Sequence, residues 1–139
     1  MPVFGHTLRV ARILHLALLV SVPLYVVAGE IVGPSAPRDV MRIRQILFLL
    51  ALVQTGAAFL LRYRLAGPAA EALRAHPEDE VQISRWMSGN IGALAIAEAI
   101  GLLGLVVRVL GATLPEAAPF YVASFVLLLL LTPRNSANQ

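Results

Sequence analysis

The stretch IGALAIAEAIGLLGLVVRVL, Ile91 to Leu110, decides the fold. It meets the length of about 20 mostly apolar residues that a membrane-spanning helix needs. Three further segments read the same way. One runs from about Val10 to Val32 and contains Pro23, one from about Ile46 to Leu61, and one from about Ala117 to Leu131. None alternates apolar and polar residues as a barrel strand must, and in lipid a backbone has to satisfy its hydrogen bonds within its own segment. The sequence predicts an all-α integral membrane four-helix bundle, two helical hairpins in a single domain over residues 1–139.

Composition agrees. The chain is 58% hydrophobic and only 14% charged, with charge bunched between the apolar runs. A soluble domain is nearer half apolar and a quarter charged. There is no cysteine, which excludes disulfides, thiolate metal sites and thiol catalysis. All the basic residues are arginine, so no lysine can form a Schiff base. The net charge of +3 does not point to nucleic acid, because the arginines sit at the ends of apolar runs, where they meet lipid phosphates. Met1 to Arg12 followed by Ile13 to Val32 is too long for a signal peptide and is expected to remain as a helix.

The connections are predicted from turn residues. Gly33-Pro34-Ser35-Ala36-Pro37 closes the first helix, and Gly111 to Pro119 joins the third to the fourth. The middle connection, 62–89, holds most of the charge and is expected to be a cytoplasmic loop. Within it, Gly67-Pro68 is expected to end the second helix and begin a short one, Ala69 to Ala75. Pro77-Glu78-Asp79-Glu80 reads as a helix start, with entry into the membrane near Trp86. Arg9, Arg12, Arg62, Arg64, Arg74, Arg85 and Arg134 fall on one side, and Arg38, Arg42, Arg44 and Arg108 on the other. That bias predicts both termini in the cytoplasm, in the inner (plasma) membrane of a bacterium.

Glu98 is the main candidate for chemistry. A carboxyl near the middle of a spanning helix is costly unless it is paired or protonated, so it is read either as a protonated group hydrogen-bonded to a neighbouring helix or as an ion- or proton-binding group. Gln54 on the second helix is expected at the same depth, as its hydrogen-bond partner. Gly89, Ala93, Ala97, Gly101 and Gly104 recur at helical spacing and form a helix-packing face, suited to the bundle itself or to a homo-oligomer. Glu30 is expected at the outer interface. His15 is the sole histidine within a span, which excludes a bis-histidine haem site. Ser21, Ser84 and Ser88 have no base partner that spacing suggests. Arg62-Tyr63-Arg64 and Arg85-Trp86 read as interfacial anchors. No catalytic set, metal cluster or phosphate loop is present, so neither an enzyme nor a cofactor is expected.

Ala70-Glu71-Ala72-Leu73-Arg74-Ala75-His76-Pro77-Glu78, followed by the Ala97-Glu98-Ala99 context and its Gly101 to Val107 run, resembles the proteolipid c subunit of rotary ATP synthases over residues 54–107. The resemblance implies that Glu98 is the ion-binding carboxylate and that Arg74 and Pro77 belong to the cytoplasmic loop. It also implies protons over sodium, because Ala99 stands where sodium-binding members carry a hydroxyl. The chain departs from the family in having only Gly56 in the second helix, a wider Arg/Pro spacing and two extra helices. Two functions are carried forward from the sequence. One is a small membrane protein handling protons through Glu98; the other is a non-catalytic accessory or structural subunit of a larger membrane complex.

Overall fold

The computed structural model describes residues 3–34, 36 and 38–133; Arg134, counted above for orientation, lies outside them. Among the described residues the chain is all-helical. The order is α1 (Val3–Val32), α2 (Met41–Leu61), a π-helical turn (Arg62–Ala66), α3 (Gly67–Ala75), α4 (Glu80–Leu110) and α5 (Leu114–Leu130). Three stretches, Gly5–Val32, Met41–Ala75 and Glu80–Leu110, are long and apolar enough to cross a membrane; Leu114–Leu130 is shorter. Large apolar side chains such as Ile31, Val53, Leu60 and Val122 point outward along every long helix and α5. A helix apolar on all sides belongs in lipid, and this is the surface of a membrane protein.

Helix α4 is the centre of the bundle. It packs against α1, α2 and α5, whereas α1 and α2 do not touch each other. Glu30 of α1 meets Arg108 of α4, so these two helices run in the same direction. Leu61 of α2 lies against Gly92, and Tyr121 of α5 lies against Gly104, so α2 and α5 run the opposite way. The chain thus goes up and down four times, but α4 separates the first two helices. The packing stripe on α4 explains this. Ala93 and Ala97 are fully buried, and Gly89, Gly101 and Gly104 meet Ala66, Ser124 and Tyr121 respectively. Small residues let backbones approach closely, and here they are consumed within the chain.

The region 62–89 differs from the expected loop. Gly67-Pro68 does not break α2. Pro68 lacks an N–H, and its ring would clash with the carbonyl four residues back in a regular helix. The π turn widens the backbone at that point, with the Gly67 N–H reaching Arg62 O, and the helix continues into α3. Only His76 to Asp79 separates α3 from α4. Asp79 caps α4, its Oδ1 accepting from Val81 N at 3.0 Å and Gln82 N at 3.2 Å. The helix start read at 77–80 lies close to the observed one, but Pro77 and Glu78 belong to the turn before α4 and Glu80 is its first residue.

The Trp86 side chain does not face lipid. It is buried with Leu8, Ala11, Ala69, Leu73 and Ile83, where α1, α3 and α4 converge. The second turn is also shorter than expected. α4 ends at Gly111, whose φ of 121° is open to glycine and strained for other residues. Thr113 then caps α5, and Pro119 lies inside that helix. A bond from Arg38 N to Gly111 O at 3.0 Å ties the two turns at this end together.

Candidate functional site

Charged residues bracket each long helix. Arg12 and Glu30 on α1, and Arg44 on α2 and Arg62 just past its end, are each separated by about 27 Å of helix, close to the thickness of a hydrocarbon core. On α4, Glu98 lies about 20 Å from Arg85 and about 15 Å from Arg108. Glu98 is therefore near the middle of the apolar layer, half-buried on the side of α4 that faces α1.

Its partners come from α1. The Tyr25 hydroxyl and the Ser21 hydroxyl, the latter at 3.2 Å, both donate to Glu98 Oε1. Ser21 Oγ also lies 2.7 Å from Leu18 O, one turn back on its own helix. Ser21 has one proton and two acceptors. When Glu98 is ionised, that proton can turn to the carboxylate. When Glu98 is protonated, its O–H can be given to Ser21 Oγ, whose own hydrogen then goes to Leu18 O. The cluster gives Glu98 Oε1 a partner in both protonation states without moving the backbone. Among the described residues, no basic side chain pairs with Glu98; the ion pairs are Arg44–Glu116 and Arg108–Glu30. Among the described residues, none donates a hydrogen bond to Glu98 Oε2.

Gln54 does not join this site. The register set by Leu61 against Gly92 brings it to a depth close to that of Glu98, as the sequence implied. It lies on α2, however, which packs on a different side of α4 from α1. Its Oε1 is buried without a hydrogen-bond partner. The partners that sequence reasoning missed are Ser21 and Tyr25. Spacing along one helix carries no signal for a contact between helices so far apart in the chain. One cue was available: a serine and a tyrosine about one turn apart on an otherwise apolar helix are polar groups that lipid will not satisfy.

The other functional candidates fall in separate places. Arg74 is in the last turn of α3 and Pro77 in the α3–α4 turn, both at the end of the bundle that holds Trp86 and far from Glu98. His15 is buried, with Nε2 2.8 Å from Leu128 O. Read as an Nε2–H tautomer, it donates to a carbonyl left open by the end of α5. Arg62 Nη2 likewise reaches Thr132 O at 3.3 Å. These groups cap the short helix α5 where it stops before its neighbours do. Glu30 pairs with Arg108 Nε at 2.8 Å, as befits an interfacial carboxylate. Ser124 Oγ donates to Ala97 O at 2.8 Å and pins α5 to α4 just beside Glu98. No group of metal-ligating side chains is found among the described residues.

Comparison with protein-family models, with curated proteins and with solved structures gives no match to this chain.

Proposed function

We propose that the chain is a small multi-pass membrane protein that crosses the bilayer four times and takes up and releases a proton at Glu98. The observation that carries this reading is the Ser21–Tyr25–Glu98 cluster: a mid-depth carboxyl with hydroxyl partners that can serve its Oε1 in both protonation states and, among the described residues, no arginine to fix it as an anion. Intramembrane carboxyls of this kind are usually paired, face a bundle interior or relay protons. The likeness of residues 54–107 to the rotary c subunit supports a proton over a metal cation, and the arginine bias supports termini in the cytoplasm of a bacterial cell. Proton flux into proteoliposomes tests the reading. Under a pH gradient the wild-type protein should carry protons and Glu98→Gln should not, while keeping its helical content. Full flux in the mutant would remove Glu98 from the function.

One observation favours a second reading, a non-catalytic subunit of a larger membrane complex. Glu98 Oε2 lacks a donor, and the strip of α4 beside it, Ala95, Leu102 and Val106, is uncovered. A partner helix could supply both. In that case Glu98→Gln leaves flux at background in both proteins, and the complex still assembles, because glutamine retains a hydrogen-bonding carbonyl.

A further inference from the structure

At the end of the bundle away from Trp86, the sequence Thr113-Leu114-Pro115-Glu116 builds a reciprocal cap at the start of α5. Thr113 N donates to Glu116 Oε2 at 2.8 Å, and Thr113 Oγ1 lies 3.0 Å from the same oxygen. The cap fixes the Glu116 carboxylate and leaves Oε1 to accept from Arg44 Nη1 of α2. Among the described residues Arg44 gives Glu116 only that one nitrogen, so its Nε and Nη2 donors remain open. Arg44 is thereby held at a defined point, and it is the mouth of a groove.

The groove lies between α2 and α5, which barely touch. It encloses about 630 Å³, within the range of about 300–1,000 Å³ typical of ligand sites. Arg44, Gln45 and Glu116 form its polar end; Phe48, Leu49, Pro119 and Phe120 form its apolar walls. Phe48 and Phe120 meet edge to face, with ring centroids 6.2 Å apart. Polar end and apolar walls succeed one another along the helix axes, from headgroup depth towards the middle of the layer. We propose that this groove holds one membrane glycerophospholipid, its phosphate on the open donors of Arg44 and one acyl chain along the Phe48–Phe120 wall. A guanidinium with two donors in one plane matches a phosphate. Arg42, two residues earlier on α2, falls on another face of the helix and does not line the groove. This site is independent of Glu98.

The test is native mass spectrometry of the full-length protein, delipidated in detergent and titrated with phosphatidylglycerol, with diacylglycerol of the same chains, and with inorganic phosphate. One phosphatidylglycerol should be retained per chain. Diacylglycerol should bind about tenfold more weakly, because it lacks the charged acceptor, and inorganic phosphate should show no binding. Arg44→Gln should weaken phospholipid binding about tenfold, and Arg42→Gln should leave it unchanged. Leu49→Trp, which fills the groove from an outward-facing position, should expel the lipid while circular dichroism shows an intact fold. Equal retention by wild type and Arg44→Gln, or diacylglycerol as tight as phosphatidylglycerol, overturns the proposal. So does binding of phosphate alone, which would make the arginine an anion site with no use for the groove. If Arg44→Gln fails to fold, Leu49→Trp and the diacylglycerol comparison decide.

Discussion

The Tyr25 hydroxyl donates to Glu98 Oε1 and joins α1 to the carboxyl near the centre of α4. The bond is made between helices that run in parallel, on the side of α4 that packs against α1. Tyr25→Phe removes this donor and leaves Ser21 as the only hydroxyl on Glu98. The protein should still fold, with a loss of about 1 kcal/mol in thermal or denaturant unfolding. Ser21→Ala should cost less, because Ser21 divides its proton between Glu98 and Leu18 O. A larger loss for Ser21→Ala than for Tyr25→Phe would mean that the serine is the principal partner.

The glycines of the bundle should separate sharply under substitution. A Cβ on Gly89 would lie 2.7 Å from the backbone nitrogen of Ala66, and a backbone cannot swing aside. Gly89→Ala should therefore destabilise by about 1–3 kcal/mol as an overpacked contact. Gly56 on α2 has nothing within 4 Å of its Cβ position. Gly56→Ala should be neutral or stabilising by up to about 1 kcal/mol, from helix propensity alone. Unfolding in a fixed detergent measures both, and equal effects would contradict the packing described.

Much of this was legible in the sequence, for reasons that differ between features. The apolar runs and the bracketing charges follow from composition, so the helices and their number could be read directly. The start of α4 was legible to within a few residues because the proline and acids before it are a local signal, while the capping role of Asp79 was not read. The continuity of α2 into α3 was not, since Gly67-Pro68 signals a stop in a regular helix and the π turn that absorbs it depends on Leu65 and Ala66 packing against Gly89. Trp86 was misplaced for a related reason. Tryptophan prefers interfaces on average, but here α3 folds over it. Glu98 could be picked out because a mid-helix carboxyl is rare, while its partners could not, because packing decides which of two neighbouring helices a side chain meets.

His15 should matter to stability more than to chemistry. It supplies the partner of Leu128 O at the end of α5, where the chain can no longer bond itself. His15→Leu keeps the volume and removes the donor, and should cost about 1 kcal/mol. Hydrogen exchange should accelerate at Leu131 and in the last turn of α5 before other helices respond. Unchanged protection there would show that the histidine is dispensable to the cap.

The Thr113–Glu116 cap gives a pH dependence whose sign follows from its bonds. The backbone N–H of Thr113 first, then its hydroxyl, with Arg44 adding less, hold the Glu116 carboxyl below its ordinary value of 4.5. Glu116 stands just outside the apolar run 117–131. A lowered value means that the folded state favours the charged form, so the contribution is complete above the ordinary value and is lost as the pH falls through the lowered one. Wild type should be more stable than Glu116→Gln at neutral pH, and the two should converge in acid. A difference that grew on acidification would contradict the assigned bonds.

The most direct test of the account is infrared difference spectroscopy of the purified protein in nanodiscs, wild type against Glu98→Gln, as the pH is varied. The account predicts a protonated-carboxyl band that gains and loses intensity with pH in the wild type, is absent from Glu98→Gln, and shifts in frequency in Tyr25→Phe. A Glu98 band that stays fixed at every pH would contradict proton uptake and release at this site and leave Glu98 as a structural hydrogen bond between α1 and α4.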